Sequence, residues 1–240
     1  MKIFITGVSS GLGICLTKEF LACGDEVWGI GRRKFVLEGV DVELQQRFKY
    51  LRCDTTSQNR VRNTFEDMVK ADFVPDIVIF CAGSATDDIT ENTVRLDRFK
   101  ENFNLNLFGI LYWIELLTPY FLKRNRGIFS GISSMSIYRE NHKNRIGYSA
   151  SRIALNKAFE NLNLEYLNTG IEFVIFNMGR IQEKSGIIGT SYSKAAYKVF
   201  KMLNTGKISK SVNIPFSQYI LTRMAQYIPD KIFRNHLMKE

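Results

Sequence analysis

A phenol and a permanent cation stand four residues apart in Tyr148-Ser149-Ala150-Ser151-Arg152. On a helix that spacing puts both side chains on one face, so Tyr148 and Arg152 can point into one cleft. Fourteen residues before Tyr148, Ser134 follows Ser133 at the end of an apolar run. Hydride delivery to a carbonyl needs a proton donor beside the developing alkoxide and a hydrogen bond to hold that oxygen. Tyr148 can be the donor and Ser134 the holder, while a fixed positive charge favours the phenolate left behind. Ser136 is a second serine at a similar distance, so the assignment between Ser134 and Ser136 stays open. Asn106, in Asn104-Leu105-Asn106-Leu107-Phe108-Gly109, is the fourth polar candidate.

The elements that must position these groups begin at the N-terminus. Lys2-Ile3-Phe4-Ile5 reads as a short apolar strand, Thr6-Gly7-Val8-Ser9-Ser10-Gly11-Leu12-Gly13 follows, and an amphipathic helix runs to about Cys23. Glycines turn the chain tightly and let backbone approach phosphate, and a first helical turn offers unpaired N–H groups and a positive dipole end. Strand, turn and helix in that order predict a bound dinucleotide, with Thr6, Gly7, Ser9, Ser10, Gly11, Leu12 and Gly13 around its pyrophosphate. Further strands are expected at Glu26–Ile30, Tyr50–Cys53, Asp76–Cys81, Gly127–Ser133 and Ile171–Phe176, with helices at about Glu101–Lys123 and Tyr148–Leu167. Continuous apolar strands alternating with helices imply an α/β fold: a doubly wound parallel sheet in three α/β/α layers, forming a single domain. Ligands of such sheets lie at the carboxyl ends of the strands, where these motifs fall.

Arg32 and Arg33 follow the second strand, and no acid lies between Val27 and Lys34. An acid there would favour a free ribose 2′-hydroxyl, whereas arginine pairs with a 2′-phosphate. The cofactor is therefore read as NADP(H), with Arg32 ahead of Arg33.

The spacing G-x-x-x-G-x-G after a first strand ending in Thr6, together with Tyr-x-x-x-Arg, resembles the short-chain dehydrogenase/reductase family over about residues 1–183. The resemblance implies a Rossmann fold and an oxidoreductase. It implies that Asp54 contacts the adenine amino group, while its residue type also suits a helix cap. It implies that Cys81-Ala82-Gly83 approaches the nicotinamide ribose in place of Asn-Ala-Gly, and that Gly179 and Ile181 make backbone contacts to the nicotinamide amide. It gives Asn106 a part in distorting its helix and supporting a water relay. The chain departs from the family at several points. Arg152 replaces lysine; it keeps the charge and can bond ribose hydroxyls but cannot itself relay a proton. The Ser134–Tyr148 spacing is one residue longer than usual, and Met178-Gly179-Arg180-Ile181 replaces a Pro-Gly segment. Those departures support an alternative, a non-catalytic NADP-binding regulator or scaffold.

The composition, 45% apolar and 24% charged over 240 residues, suits one large globular domain. Four cysteines without a CxxC pair are expected to be buried, reduced thiols, and two histidines give no metal-ligand cluster. A first strand beginning at Lys2 leaves no room for a signal peptide, and no apolar run approaches membrane length, so the cytoplasm is expected. The net charge is +9, and residues 201–240 carry seven Lys/Arg against two acids. The charge alone does not support nucleic-acid binding, for which no motif is present; the expected partner is a small carbonyl or alcohol.

Residues 184–240 are expected to supply a substrate lid and C-terminal amphipathic helices, with a short strand in Lys207–Phe216 and two helical pieces split by Pro229. Ile220, Met224, Tyr227 and Ile228 form an apolar stripe, continued by Ile232, Phe233, Leu237 and Met238 and flanked by Arg223, Lys231, Arg234 and Lys239. Several readings stay open: packing on the protein's own core or a second subunit, peripheral membrane contact through 216–240, or an apolar substrate channel. Phe103, Phe108, Tyr112 and Trp113 suggest either ordinary core or a helix–helix interface in a homodimer.

Overall fold

Alternate residues of the first strand are apolar on both sides, and the structure buries both. In this computed structural model, which describes residues 1–140, 142–184, 189–206 and 209–236, β1 (Lys2–Thr6) lies inside a seven-stranded sheet. The others are β2 (Glu26–Gly31), β3 (Phe48–Arg52), β4 (Ile77–Phe80), β5 (Gly127–Ser134), β6 (Ile171–Met178) and β7 (Ser211–Ile214). All pair in parallel, in the order β3-β2-β1-β4-β5-β6-β7. The order reverses direction between β1 and β4, which opens a crevice at their carboxyl ends.

The helices are α1 (Gly11–Ala22), α2 (Gln58–Lys70), α3 (Leu96–Arg124), α4 (Ile146–Glu165), α5 (Tyr192–Thr205), α6 (Phe216–Ala225) and α7 (Asp230–His236). Phe4, Phe80, Phe129 and Phe173 face one side of the sheet and pack against Val61, Trp113, Leu117 and Phe159 of α2, α3 and α4. Ile3, Ile5 and Phe176 face the other and pack against Leu16, Phe20, Val199 and Leu203 of α1 and α5. This is the expected three-layer α/β/α arrangement. Its energetic basis is burial of two apolar faces, each large side chain contributing about 1.5–3 kcal/mol.

The first six strands fall within two residues of their expected bounds. The expected helix at Glu101–Lys123 begins earlier, at Leu96, and is interrupted by a π-helical stretch at Asn104–Phe108. Contrary to the expectation of no membrane-length segment, Leu96–Arg124 is long and apolar enough, by length and composition, to cross a membrane. Half of its most apolar window is buried, and Trp113, Leu117 and Phe121 are fully so, which makes it a core helix. Tyr192–Thr205, inside the region assigned to the lid, forms α5 and crosses α1, with Phe200 edge-on to Phe20 at 5.1 Å. Of the expected strand at Lys207–Phe216, Ser211–Ile214 is strand, while residues 207 and 208 lie outside the described residues.

The cysteines need a correction. All four are free, but only Cys53 is buried; Cys15 and Cys81 are intermediate and Cys23 is exposed. Cys23 is the residue that ends α1, and a helix end at the surface leaves its thiol in solvent.

Candidate active site

The cleft at the carboxyl ends of the strands encloses about 400 Å³, and its wall is the glycine turn. Gly7 has φ +76, and a Cβ there would lie 2.8 Å from the backbone N and Cα of Ala82. Only a residue without a side chain fits both the dihedral and the approach. Thr6 Oγ1 accepts the Ala82 N–H at 3.1 Å, tying the end of β1 to the segment after β4. Thr6, Gly7, Ser9, Ser10, Gly11 and Leu12 all line the cleft. Gly13 is not among its lining residues. A Cβ on Gly13 would lie 2.1 Å from the Gly7 carbonyl oxygen, so Gly13 serves the site by letting α1 touch the turn.

Arg32 and Arg33 line the far end of the cleft with exposed side chains. Their backbone is held: Arg52 Nε donates to the Arg32 carbonyl at 3.0 Å, and the Tyr50 hydroxyl donates to that of Arg33. Both guanidinium groups are thus offered to solvent from a fixed strand end. Asp54 is not among the residues that line the cleft, and its Oδ1 accepts from the Thr56 N–H at 3.0 Å and the Thr56 hydroxyl at 2.8 Å. It does not cap the next helix either, whose N-cap is Ser57; a short acidic side chain here satisfies its own turn first.

Cys81, Ala82 and Gly83 line the cleft opposite Arg152. Arg152 is 6% exposed, and its Nη1 donates to the Ile132 carbonyl at 2.8 Å. A Cβ on Gly83 would lie 2.2 Å from Arg152 Nη2, so the bulkier guanidinium occupies space that glycine leaves. Burial pushes the Cys81 thiol up to about 12, outweighing the opposite pull of Arg152, and Cys81 is a neutral neighbour of that cation. The guanidinium lies 5.3 Å from the Tyr148 ring centroid, within cation–π range. The two residues therefore share one face, as their spacing implied.

Asn106 does not reach the cleft. It is fully buried, its Oδ1 accepts the Ser84 N–H at 3.2 Å, and its Nδ2 donates to the Ser84 carbonyl at 3.0 Å and Ser151 Oγ at 3.1 Å. The π-helical stretch turns it inward to join the loop after β4 to α4. Leu105, one residue earlier, lines the cleft instead.

A second cavity of about 920 Å³ adjoins the first. Ser134, Tyr148, Met178 and Gly179 line both. The Ser136 N–H donates to Ser134 Oγ at 3.1 Å, which fills an acceptor position on Ser134 and leaves its own O–H free to donate into the junction. Ser136 lines the second cavity and not the first, and its buried Oγ has no partner among the described residues. The geometry thus separates the two serines. Gly179, held by its N–H to the Ile214 carbonyl at 2.7 Å, and Ile181 line the cleft as expected.

Sequence reasoning missed the groups that fix α4. Asp88, fully buried, accepts the backbone N–H of Ile146 at 2.9 Å and Gly147 at 2.6 Å, and Asn102 Nδ2 at 3.3 Å. An anion at a helix N-terminus satisfies its orphan donors and meets its dipole. It holds the turn that carries Tyr148. A Cβ on Gly147 would lie 2.5 Å from Asp88 Oδ2, so the glycine just before Tyr148 was the available signal. Tyr192, whose ring approaches Gly11, was also missed as a wall of the cleft.

The C-terminal stripe divides. Leu221, Met224, Ala225, Ile228 and Phe233 line the second cavity, while Ile220, Met224, Tyr227 and Ile232 are also substantially exposed. Leu237, Met238, Lys239 and the side chain of Arg234 lie outside the described residues.

A family model described as short chain dehydrogenase matches residues 1–187. The chain belongs to the short chain dehydrogenase family. An uncharacterized oxidoreductase of Staphylococcus epidermidis is 26% identical over 182 residues, 74% of this chain and 76% of the relative. Among solved structures, a short-chain dehydrogenase of Streptomyces avermitilis superposes with a TM-score of 0.82 at 21% identity, covering 98% of this chain and 94% of the other. The closed form of a serine dehydrogenase complexed with NADP+ gives 0.81 at 17% identity, covering 91% and 96%. These likenesses confirm the Rossmann fold, and membership makes this chain an oxidoreductase of the short chain dehydrogenase type. The cleft fits the family's nicotinamide cofactors: the glycine cradle admits no Cβ, and the buried Arg152 Nε, without a partner among the described residues, is a donor suited to a ribose hydroxyl.

Proposed function

We propose that this dehydrogenase uses NADP(H) and reduces a carbonyl, or oxidises the corresponding secondary alcohol. The observation that carries the reading is the junction at which Ser134 and Tyr148 border both the cofactor-sized cleft and the second cavity. When bound, the cofactor supplies or accepts the hydride. Ser134 donates its free O–H to the substrate oxygen, and Tyr148 gives that oxygen its proton in the reducing direction. Arg152 holds a charge against the Tyr148 ring that arginine never loses, and its Nε positions the ribose. Asn106 acts through Ser84 and Ser151 as a positioning residue. Arg32 and Arg33, with no acid beside them, favour a 2′-phosphate over a free hydroxyl.

We further propose that the enzyme is a cytoplasmic homodimer. Phe108 (43% exposed) and Ile153 (49%) on α3 and α4 are the apolar side chains a second copy would cover; a monomer in sedimentation would refute that part. The enzymatic reading is tested by cofactor oxidation against a panel of carbonyls. Turnover should be lost in Tyr148→Phe and strongly reduced in Ser134→Ala, with NADPH still bound by both. Full activity in Tyr148→Phe would refute the role assignment.

A further inference from the structure

The second cavity has an apolar wall and several basic side chains in its lining. Met135, Leu221, Met224, Ile228 and Phe233 supply its apolar wall, and its 920 Å³ lies near the top of the roughly 300–1,000 Å³ range of small-molecule sites. Its ionisable lining is Arg139, Glu140, His142, Arg145 and Arg180. Three of the four basic groups are committed to carboxylates. Arg139 Nη2 meets Asp230 Oδ1 at 2.8 Å, with its guanidinium 4.0 Å from the Phe233 ring; Arg145 Nε meets Asp87 Oδ1 at 3.0 Å; His142 Nδ1 meets Glu140 Oε1 at 3.2 Å.

Arg180 differs. Among the described residues no carboxylate pairs with its side chain, which is exposed at the cavity mouth. Its backbone is fixed on both sides: its N–H donates to Gln218 Oε1 at 2.8 Å, and its carbonyl accepts the Thr190 N–H at 3.0 Å. It follows Gly179, which borders the Ser134–Tyr148 junction. An unpaired guanidinium carried on a fixed backbone beside an apolar cavity wall is a site for an anion on an apolar body.

We propose that the substrate is an anionic amphiphile, a carbonyl compound whose apolar chain fills this cavity and whose carboxylate or phosphate pairs with Arg180. The proposal rests on the reading of the cavity as the substrate side of Tyr148, and it makes Arg180 a specificity-determining residue. The test is calorimetric binding of decanoate, monodecyl phosphate and 1-decanol, with and without NADPH. At least one anionic chain should bind more tightly than decanol. Arg180→Gln should weaken that anion at least about fivefold, the upper end for an exposed ion pair, and leave decanol unchanged; Arg180→Lys should recover part of the loss. The tighter of the two anions identifies the headgroup. Equal affinities for anions and alcohol, an unaffected Arg180→Gln protein, or no binding of any chain would overturn the proposal. Because the readout is binding, its failure is separable from failure of the hydride-transfer reading, which the Tyr148→Phe turnover assay decides.

Discussion

Removing the Asp88 carboxylate should loosen the catalytic helix at its first turn. In Asp88→Ala the N–H groups of Ile146 and Gly147 lose their acceptor, and Asn102 Nδ2 loses one of its partners. Hydrogen bonds to a charged group contribute about 1.5–3 kcal/mol each. Release of a fully buried charge offsets part of that loss, so the net cost is put at about 3 kcal/mol. For a chain of this size, roughly 2–4 °C of Tm accompanies each kcal/mol, giving a drop of about 6–12 °C in thermal unfolding. Tyr148 is the next residue after Gly147, so a shift of the first turn also moves the proton donor. The rate constant for turnover should fall about tenfold or more, since small misplacements at a reacting centre are costly, while NADPH affinity stays within about twofold. Asp88→Asn keeps one acceptor oxygen and should show about half the stability loss. A Tm change under about 2 °C in Asp88→Ala, with turnover intact, would refute the reasoning.

Three further outcomes follow from the same geometry. Gly13→Ala places a methyl 2.1 Å from the Gly7 carbonyl and should weaken NADPH binding about tenfold or more by separating turn from helix; calorimetry that finds no change would contradict the close-packing argument. Arg32→Asp should shift the ratio of NADH to NADPH affinity by about tenfold or more toward NADH, measured by fluorescence titration. At about pH 8, an alkylating reagent should modify exposed Cys23 first, whereas Cys53, which is buried and whose thiol burial pushes up, stays protonated and reacts only on unfolding; mass spectrometry of the labelled peptides checks the order.

Much of the fold was legible because parallel strands buried on both faces read as uninterrupted apolar runs. Ile77–Cys81 and Phe173–Phe176 are of this kind, and the glycine turn between β1 and α1 has few other uses. The Tyr148–Arg152 pair was legible because helical spacing is local. What escaped the sequence was mostly non-local. Asp88 meets α4 across 58 residues, and nothing in its neighbourhood announces that contact. Asn106 read as a catalytic polar group, yet the π-helical stretch turns it inward onto Ser84 and Ser151. Asp54 was matched by position, which does not announce that its Oδ1 is held by Thr56. Helix α5 did carry a signal: Ala195, Ala196, Val199 and Leu203 fall on one buried face at helical spacing. Ser134 and Ser136 could not be separated by spacing; the cavities each one lines and the Ser136 N–H on Ser134 Oγ did so.

The most direct measurement is transfer of deuterium from NADPH labelled at C4 to a carbonyl substrate, followed by mass spectrometry in the wild-type and Tyr148→Phe proteins. The account predicts deuterium on the carbonyl carbon of the wild-type product and none above background with Tyr148→Phe, whose NADPH affinity is unchanged. Equal label transfer by both proteins would contradict it.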